Sequence, residues 1–173
     1  MYREMGAVMV IVLMGVAGVG KTTVGRRLAR VLGWRFEDGD DYHPPGNVEK
    51  MRRGIALTDA DRMPWLENLR TLIAACLRNR ESVVVACSAL KQSYRDHLCL
   101  DANQVRFVYL KGDYALIHGR LARRSGHFMK ETLLASQFDA LEEPQGVPSV
   151  DVAEDPDVIV GVILQSLGLR TGG

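Results

Sequence analysis

Residues 15–22 read GVAGVGKT, a spacing of glycine, lysine and threonine that can hold phosphate groups. They fit the pattern G-x-x-x-x-G-K-[ST] and lie between an apolar run and a stretch with helical periodicity. Glycines let the backbone approach phosphates closely, with successive N–H groups pointing inward at the positive end of the following helix. The lysine would place its charge on the β- and γ-phosphates of a nucleotide, and the threonine hydroxyl would ligate Mg²⁺. The predicted nucleotide-binding residues are Gly15, Gly18, Gly20, Lys21, Thr22 and Thr23.

Two carboxylates follow at the end of the next predicted strand. Asp38 and Asp40 are two residues apart, so they share one face of an extended backbone, and α/β sheets bind ligands at the carboxyl ends of their strands. One carboxylate beside the phosphates can hold Mg²⁺ through water, and the other can orient and deprotonate an acceptor hydroxyl. An acidic turn with solvated side chains is the alternative interpretation. The position after a strand favours a role in the site.

Basic residues come next along the chain, among them His43, Lys50 and Arg62. A solvated helix face is the ordinary explanation of such a cluster. However, a phosphoryl acceptor that is itself an anion would need cations opposite the phosphate loop. Arginine suits a carboxylate because it can bind both oxygens. A GTPase switch is disfavoured because the sequence has no N-K-x-D, and the length of 173 residues favours a small-molecule kinase over a motor.

These residues must be positioned by an α/β domain, since apolar runs of strand length alternate with stretches of helical period. The sequence predicts strands at 8–14, 35–38, 82–87, 105–110 and 149–152. A helix after the glycine loop places Val24, Leu28, Val31 and Leu32 on one face and ends at Gly33. A second helix has Asp61 as its N-cap and Pro64 in its first turn.

The composition excludes several classes of protein. The 22 Lys and Arg residues nearly balance the 21 Asp and Glu, and 47% of residues are hydrophobic, which argues against disorder and against a polycation that binds nucleic acid. Three cysteines without C-x-x-C spacing suggest neither a disulfide framework nor a zinc site, so we expect a reducing compartment. No segment approaches membrane-spanning length. We expect a single domain over residues 1–173, with no nucleic-acid or membrane partner.

Five further motifs follow in order: D-G-D-x-x-H-P, N-x-x-K-M, D-x-x-R-x-P-W-L, C-S-A-L-K and G-H-F. Together with the glycine loop they make residues 10–155 resemble the gluconokinase family of P-loop carbohydrate kinases. The resemblance implies transfer of the ATP γ-phosphate to the 6-hydroxyl of D-gluconate, with Mg²⁺, in the cytoplasm. It also implies a P-loop kinase fold with a five-stranded parallel sheet in the order 2-3-1-4-5, a mobile lid at about 118–138 and a homodimer.

The resemblance also implies roles for particular residues. Asp40 would receive the proton of the acceptor hydroxyl, and Asp38 would lie near Mg²⁺. Arg62 is our choice for the gluconate carboxylate. In the lid, Arg120 and Arg124 would share one helical face and close over ATP, with Arg124 also counted as catalytic alongside Lys21. The substrate-side contacts would be Asp40, His43, Lys50, Arg62, Lys91, Arg95 and His127.

Two alternatives stay open on the sequence. A P-loop kinase for another small acceptor, such as shikimate, would need a different acceptor pocket. Shikimate kinases place a glycine triplet where this chain has Cys-Ser-Ala-Leu at 87–90. A non-catalytic nucleotide-binding module would lack an essential group, whereas the loop lysine, both aspartates and the lid arginines are present.

Overall fold

Five parallel strands form the sheet of this computed structural model, which describes residues 7–124 and 131–171. The strands are β1 (Val10–Met14), β2 (Arg35–Asp38), β3 (Val83–Ala86), β4 (Val105–Lys111) and β5 (Ser149–Asp151). Their order across the sheet is β2-β3-β1-β4-β5, with all neighbours parallel. The predicted fold class and sheet order are therefore confirmed, and the strand ends differ from the predicted ones by at most two residues.

Helices cover both faces of the sheet. They are α1 (Lys21–Leu32), α2 (Pro45–Arg52), α3 (Asp59–Arg78), α4 (Gln92–Leu98), α5 (Tyr114–Ala122), α6 (Glu131–Ala140) and α7 (Pro156–Leu167), and a 3₁₀ turn spans Gly39–Tyr42. None of the helices in the described part of the chain is both long and apolar enough to cross a membrane.

The core consists of two apolar layers, one on each face of the sheet. Side chains of β1 alternate between them: Ile11 and Leu13 pack with α1, α5, α6 and α7, whereas Val10, Val12 and Met14 pack with α3 and α4. A strand with both faces covered has no solvent side, so it reads as a continuous apolar run. This packing fixes the carboxyl end of β1, from which the glycine loop leaves.

The first helix ends as predicted, and the second begins differently. Gly33 caps α1 in the left-handed conformation, with φ of 68°. In α3, however, the N-cap is Thr58, whose hydroxyl accepts from the Asp61 N–H while the Asp61 carboxylate accepts from the Thr58 N–H. This reciprocal capping box places the N-cap three residues before the predicted one. Pro64 consequently lies inside α3 rather than in its first turn, on an exposed face where water can reach the carbonyl that lacks a helical donor.

Candidate active site

The loop between β1 and α1 has the conformation that a phosphate cradle requires. Gly15, Gly18 and Gly20 have φ of 147°, 79° and 103°, values that residues with a side chain rarely adopt. A Cβ at Gly15 would lie 2.7 Å from the Leu110 carbonyl oxygen, so this position also needs the missing side chain. The loop leads directly into α1, whose N-terminal N–H groups and dipole favour an anion.

Lys21 lies at the start of α1 and folds back over the loop. Its Nζ donates to the carbonyl oxygens of Gly15, at 2.8 Å, and Val16, at 2.9 Å. Burial lowers the pKa of Lys21, and the Asp40 carboxylate acts in the opposite direction. The ammonium group therefore lies in the loop concavity, where phosphate oxygens could replace the two carbonyls as its partners.

The two predicted carboxylates lie beside this loop and differ in their contacts. The Thr22 hydroxyl donates to Oδ2 of Asp38 at 3.0 Å, and Oδ1 of Asp38 accepts from the Asp40 N–H at 3.1 Å. Asp40 keeps contact with solvent, yet the walls of the site desolvate its carboxyl and raise its pKa, while Lys21 lowers it. Asp38 is thus fixed to the loop, and Asp40 is the carboxylate whose environment favours accepting a proton.

Two cavities meet at these residues. The first cavity is lined by Ala17, Gly18, Gly20, Lys21, Thr22, Thr23, Asp38, Asp40, Ala86 and Arg124. The second cavity is lined by Ala17, Lys21, Asp40, His43, Met51, Ile55, Ala56, Leu57, Arg62, Trp65, Ser88, Leu133, Ser136 and Gln137. Among the residues that the structure describes, only Ala17, Lys21 and Asp40 line both cavities. A group held in the first cavity would therefore face a group held in the second across the loop lysine and one carboxylate.

The first cavity contains a hydroxyl and a carboxylate that together could hold a metal ion. Thr22 and Asp38 are hydrogen-bonded to each other beside the cradle. No cluster of three or more His, Cys, Asp or Glu that could hold a metal occurs in residues 7–124 and 131–171. Mg²⁺ at phosphate sites needs no such cluster, because one or two carboxylates, water and the phosphates complete its octahedron. The residues present fit that mode of binding.

Aromatic packing holds His43 in the wall of the second cavity. Its ring stacks on Trp65, with centroids 4.3 Å apart and planes 13° from parallel. The Trp65 indole N–H donates in turn to the buried Gly39 carbonyl at 2.8 Å, which ties α3 to the 3₁₀ turn that carries Asp40. Burial and the neighbouring Arg62 charge lower the pKa of His43 to about 4, so the ring is neutral at pH 7.

Arg62 presents a mostly buried guanidinium to the second cavity. Its side chain is 14% exposed, and Nη1 donates to the Tyr94 hydroxyl at 3.2 Å. Tyr94 donates onward to Asp59, whose carboxylate lies 3.9 Å from the same guanidinium. The remaining donors of this forked side chain are thus available to an anion in the cavity.

Two other predicted substrate contacts, both lysines, have internal partners. Lys50 pairs with both Asp61 oxygens, at 2.8 and 2.9 Å, and Lys91 pairs with Asp59 at 2.9 Å. Neither lysine lines the first or second cavity. Lys50 instead joins α2 to the start of α3, and its contact helps to lower the pKa of Asp61 to about 2.

The structure corrects the expectation that Arg95 contacts the substrate. It is 3% exposed and lies outside the two cavities. Its guanidinium donates to the carbonyl oxygens of Ala89, Leu90 and Glu142 at 2.7, 3.1 and 2.8 Å, and to the Gln92 side chain. All five of its donors are used in these contacts, two of them with the 87–90 turn, which leaves none for the predicted direct contact with a substrate in this structure. That turn does bring Ser88 to the second cavity, whereas Cys87 is buried with its pKa raised to about 12 and so packs as an unreactive thiol.

Of the two predicted lid arginines, Arg120 and Arg124, one lines the first cavity. Arg124 lines the first cavity, and Arg120 donates to the Val152 carbonyl. The prediction that they share one helical face is wrong, because α5 ends at Ala122 and Arg124 lies beyond the C-cap. His127 and residues 125–130 of the predicted lid lie outside the described residues.

Sequence reasoning missed Gln137, which contacts the glycine loop. Its Oε1 accepts from the Ala17 N–H at 2.7 Å across 120 positions of sequence. A signal for it exists: Gln137 lies three and four residues after Leu134 and Leu133, both buried, so it is a polar residue on the inward face of α6. This contact links α6 to the wall shared by the two cavities.

The parallel sheet, the glycine loop with its lysine and threonine, and the carboxylates after β2 define a P-loop kinase. Residues 17–143 match the family model described as shikimate kinase. The chain is 45% identical over 148 residues to the thermosensitive gluconokinase of Escherichia coli (strain K12), covering 86% of this chain and 75% of that protein. It is 44% identical to the gluconokinase of Gluconobacter oxydans (strain 621H), covering 90% and 89%. The structure of a gluconokinase from Sinorhizobium meliloti 1021 superposes with a TM-score of 0.83 at 44% identity, covering 94% and 93%. The chain belongs to the gluconokinase family of P-loop kinases.

Proposed function

We propose that this protein transfers the γ-phosphate of ATP to the 6-hydroxyl of D-gluconate, forming 6-phospho-D-gluconate and ADP. The observation that carries the proposal is that the first and second cavities share Lys21 and Asp40. Phosphoryl transfer needs donor and acceptor held in line, with charge stabilised between them. In this proposal ATP binds in the first cavity, which contains the glycine loop, and gluconate binds in the second.

The nucleotide side supplies positioning and positive charge. Loop N–H groups, Lys21 and Thr23 bind the phosphates, and Arg124 neutralises charge on the transferring group. Thr22 would hold Mg²⁺ directly and Asp38 would hold it through water, and the ion would supply positive charge beside the phosphates. Arg120 belongs to the same side, although its present partner is the Val152 carbonyl.

The acceptor side supplies orientation and a proton acceptor. Arg62 binds the gluconate carboxylate, and His43 contacts a sugar hydroxyl. The 6-hydroxyl oxygen forms a bond to the γ-phosphorus as the bond to the β,γ-bridging oxygen breaks, and ADP keeps that electron pair. Asp40 accepts the hydroxyl proton. Lys50 and Lys91 pair with Asp61 and Asp59 and line neither the first nor the second cavity, whereas Arg62 lines the second, so Arg62 remains our choice for the carboxylate.

Closure of the segment at about 118–138 over both substrates excludes water, whose reaction with ATP competes with transfer. Arg124 at one end of this segment and Gln137 at the other line the two cavities. His127 within it contacts the substrate. A single domain over residues 1–173, expected from the length, is part of the proposal, as is a cytoplasmic location, which agrees with the cysteine usage and with the family resemblance. A homodimer is proposed on the family resemblance alone.

The test is ADP release in a coupled assay across gluconate, other sugar acids, shikimate and glucose. We expect the highest kcat/KM for gluconate and very weak turnover of glucose, which lacks the carboxylate. A higher kcat/KM for shikimate than for gluconate would refute the proposed acceptor.

The loop assignment is tested separately with Lys21→Ala. We expect kcat to fall by several orders of magnitude with an unchanged circular dichroism spectrum, because the variant lacks a charge on the transferring group. Lys111→Ala is the matched control, since this lysine is 55% exposed and pairs with Glu143 on the surface. A folded Lys21→Ala enzyme with near-native turnover would contradict the P-loop role.

A further inference from the structure

Asn47 is a buried polar side chain that the proposed mechanism does not use. It lies on α2 and is 6% exposed. Its Nδ2 donates to the backbone carbonyl oxygen of Asp61 at 2.8 Å. A carbonyl oxygen can only accept a hydrogen bond, so the atom facing it must be the amide nitrogen and not the amide oxygen. The orientation of the Asn47 amide is therefore fixed by its partner.

The same nitrogen has a second hydrogen, which faces His43. Nδ2 of Asn47 lies 3.3 Å from Nδ1 of the His43 ring. Because the amide nitrogen donates, Nδ1 must accept, and a neutral imidazole that accepts at Nδ1 carries its hydrogen on Nε2. Nε2 itself has no hydrogen-bond partner within residues 7–124 and 131–171. His43 lines the second cavity, so this N–H is the polar group that the ring can offer there.

The surroundings oppose protonation of His43. Within residues 7–124 and 131–171, the charged groups that line the second cavity beside His43 are Lys21 from α1, Asp40 from the 3₁₀ turn and Arg62 from α3, while α6 contributes the uncharged Ser136 and Gln137. Arg62 and burial lower the pKa of the ring to about 4. Stacking on Trp65 fixes the plane of the ring, so it cannot swing toward Asp40 without losing that contact.

We infer that Asn47 is a positioning residue: it holds His43 as the neutral tautomer with hydrogen on Nε2, so that His43 donates to a hydroxyl of the phosphoryl acceptor. The inference rests on the proposed function in that it places the acceptor in the second cavity. A cationic His43 would attract the Asp40 carboxylate and compete with the acceptor hydroxyl for it. A neutral donor binds the acceptor and leaves Asp40 free to take the proton.

The direct test needs no variant of Asn47 and no turnover. The protein contains four histidines, and long-range ¹H–¹⁵N spectra of ¹⁵N-histidine-labelled enzyme show which ring nitrogen of each carries hydrogen at pH 7. The His43 signals are identified by their loss in His43→Gln. We expect Nδ1 of His43 to be unprotonated and Nε2 to carry the hydrogen. Hydrogen on Nδ1, or a cationic ring, would overturn the inference, whichever acceptor the enzyme uses.

The functional test uses Asn47→Asp to reverse the direction of the hydrogen bond between residue 47 and Nδ1 of His43. A carboxylate can only accept, so it requires hydrogen on Nδ1 and raises the pKa of His43 toward or above its usual range. We expect kcat/KM for the acceptor to fall about tenfold at pH 7, the loss that one ordinary hydrogen bond would cause. We also expect a new step in the pH profile between about pH 5 and 8, where a histidine of that pKa titrates. A wild-type pH profile in Asn47→Asp would overturn the inference.

The double variant distinguishes positioning of His43 by Asn47 from a purely structural role of Asn47. His43→Gln keeps an N–H donor near the position of Nε2 but cannot titrate. In His43→Gln with Asn47→Asp we expect the new pH step to disappear, and its persistence would overturn the inference. If the ADP-release assay identifies an acceptor other than gluconate, the pH profiles of kcat/KM are measured with that acceptor. Failure of the proposed function therefore appears in the comparison of acceptors and not in the pH profiles.

Discussion

Replacing Arg62 with Ala separates acceptor binding from nucleotide binding. The guanidinium lines the second cavity and not the first, and its side chain is 14% exposed. A hydrogen bond between charged groups in such a position contributes about 2 kcal/mol. Since 1.36 kcal/mol is a factor of ten, about 2 kcal/mol corresponds to roughly a thirtyfold increase in KM for gluconate. KM for ATP should stay within about twofold.

The assay is initial-rate ADP release with each substrate varied at saturation of the other. Arg52→Ala is the matched control, because Arg52 is 66% exposed and contacts Glu49 on the same surface helix. Removing Arg62 also removes one of the two causes of the low pKa of His43, so that pKa should rise from about 4 toward its ordinary value. An increase in KM for ATP instead, or an unchanged KM for gluconate, would refute the assignment of Arg62 to the acceptor carboxylate.

Three further substitutions test neighbouring parts of the site. Asp40→Asn should lower kcat about a hundredfold or more with ATP binding retained, whereas the defect of Asp38→Asn should be partly rescued by excess Mg²⁺. Turnover of both variants is measured as a function of Mg²⁺ concentration. If excess Mg²⁺ rescues Asp40→Asn and not Asp38→Asn, then Asp40 is the metal contact and Asp38 the proton acceptor. Trp65→Phe leaves the buried Gly39 carbonyl without its donor, at a cost of about 1–3 kcal/mol, so the melting temperature should fall by about 3–10 °C. Trp34→Phe, which removes an indole that is only partly buried, is the control, and equal losses in the two variants would contradict the role given to that hydrogen bond.

The sequence predicted the parts of the fold that follow from local pattern. Strand β1 is buried on both faces and therefore appears as an apolar run, and Gly33 ends α1 because the left-handed turn there favours glycine. The predicted start of α3 was wrong, because the sequence analysis took Asp61 as the N-cap whereas the N-cap is Thr58. Only the structure shows that they cap each other.

Side-chain pairing is what the sequence could not predict. Lys50 meets Asp61 across 11 positions, and Lys91 meets Asp59 across 32. The Arg95 guanidinium reaches the Glu142 carbonyl across 47 positions. Each charge is visible in the sequence as a candidate for the site, but its partner is brought to it by the packing of separate elements. A cluster of basic residues therefore overstates the positive charge that a substrate meets.

The charge that remains bears on the kind of acceptor that fits. Lys50 pairs with the Asp61 carboxylate, and Lys91 pairs at 2.9 Å with the Asp59 carboxylate, which lies farther, at 3.9 Å, from Arg62. Arg95 is buried against backbone carbonyls. His43 is neutral at pH 7 because its pKa is about 4. Among the described residues, the cations left in the wall of the second cavity are Lys21, which belongs equally to the first cavity, and Arg62. One arginine opposite the phosphate loop matches an acceptor with a single carboxylate and otherwise neutral hydroxyls, because a second negative charge would find no cation of its own there.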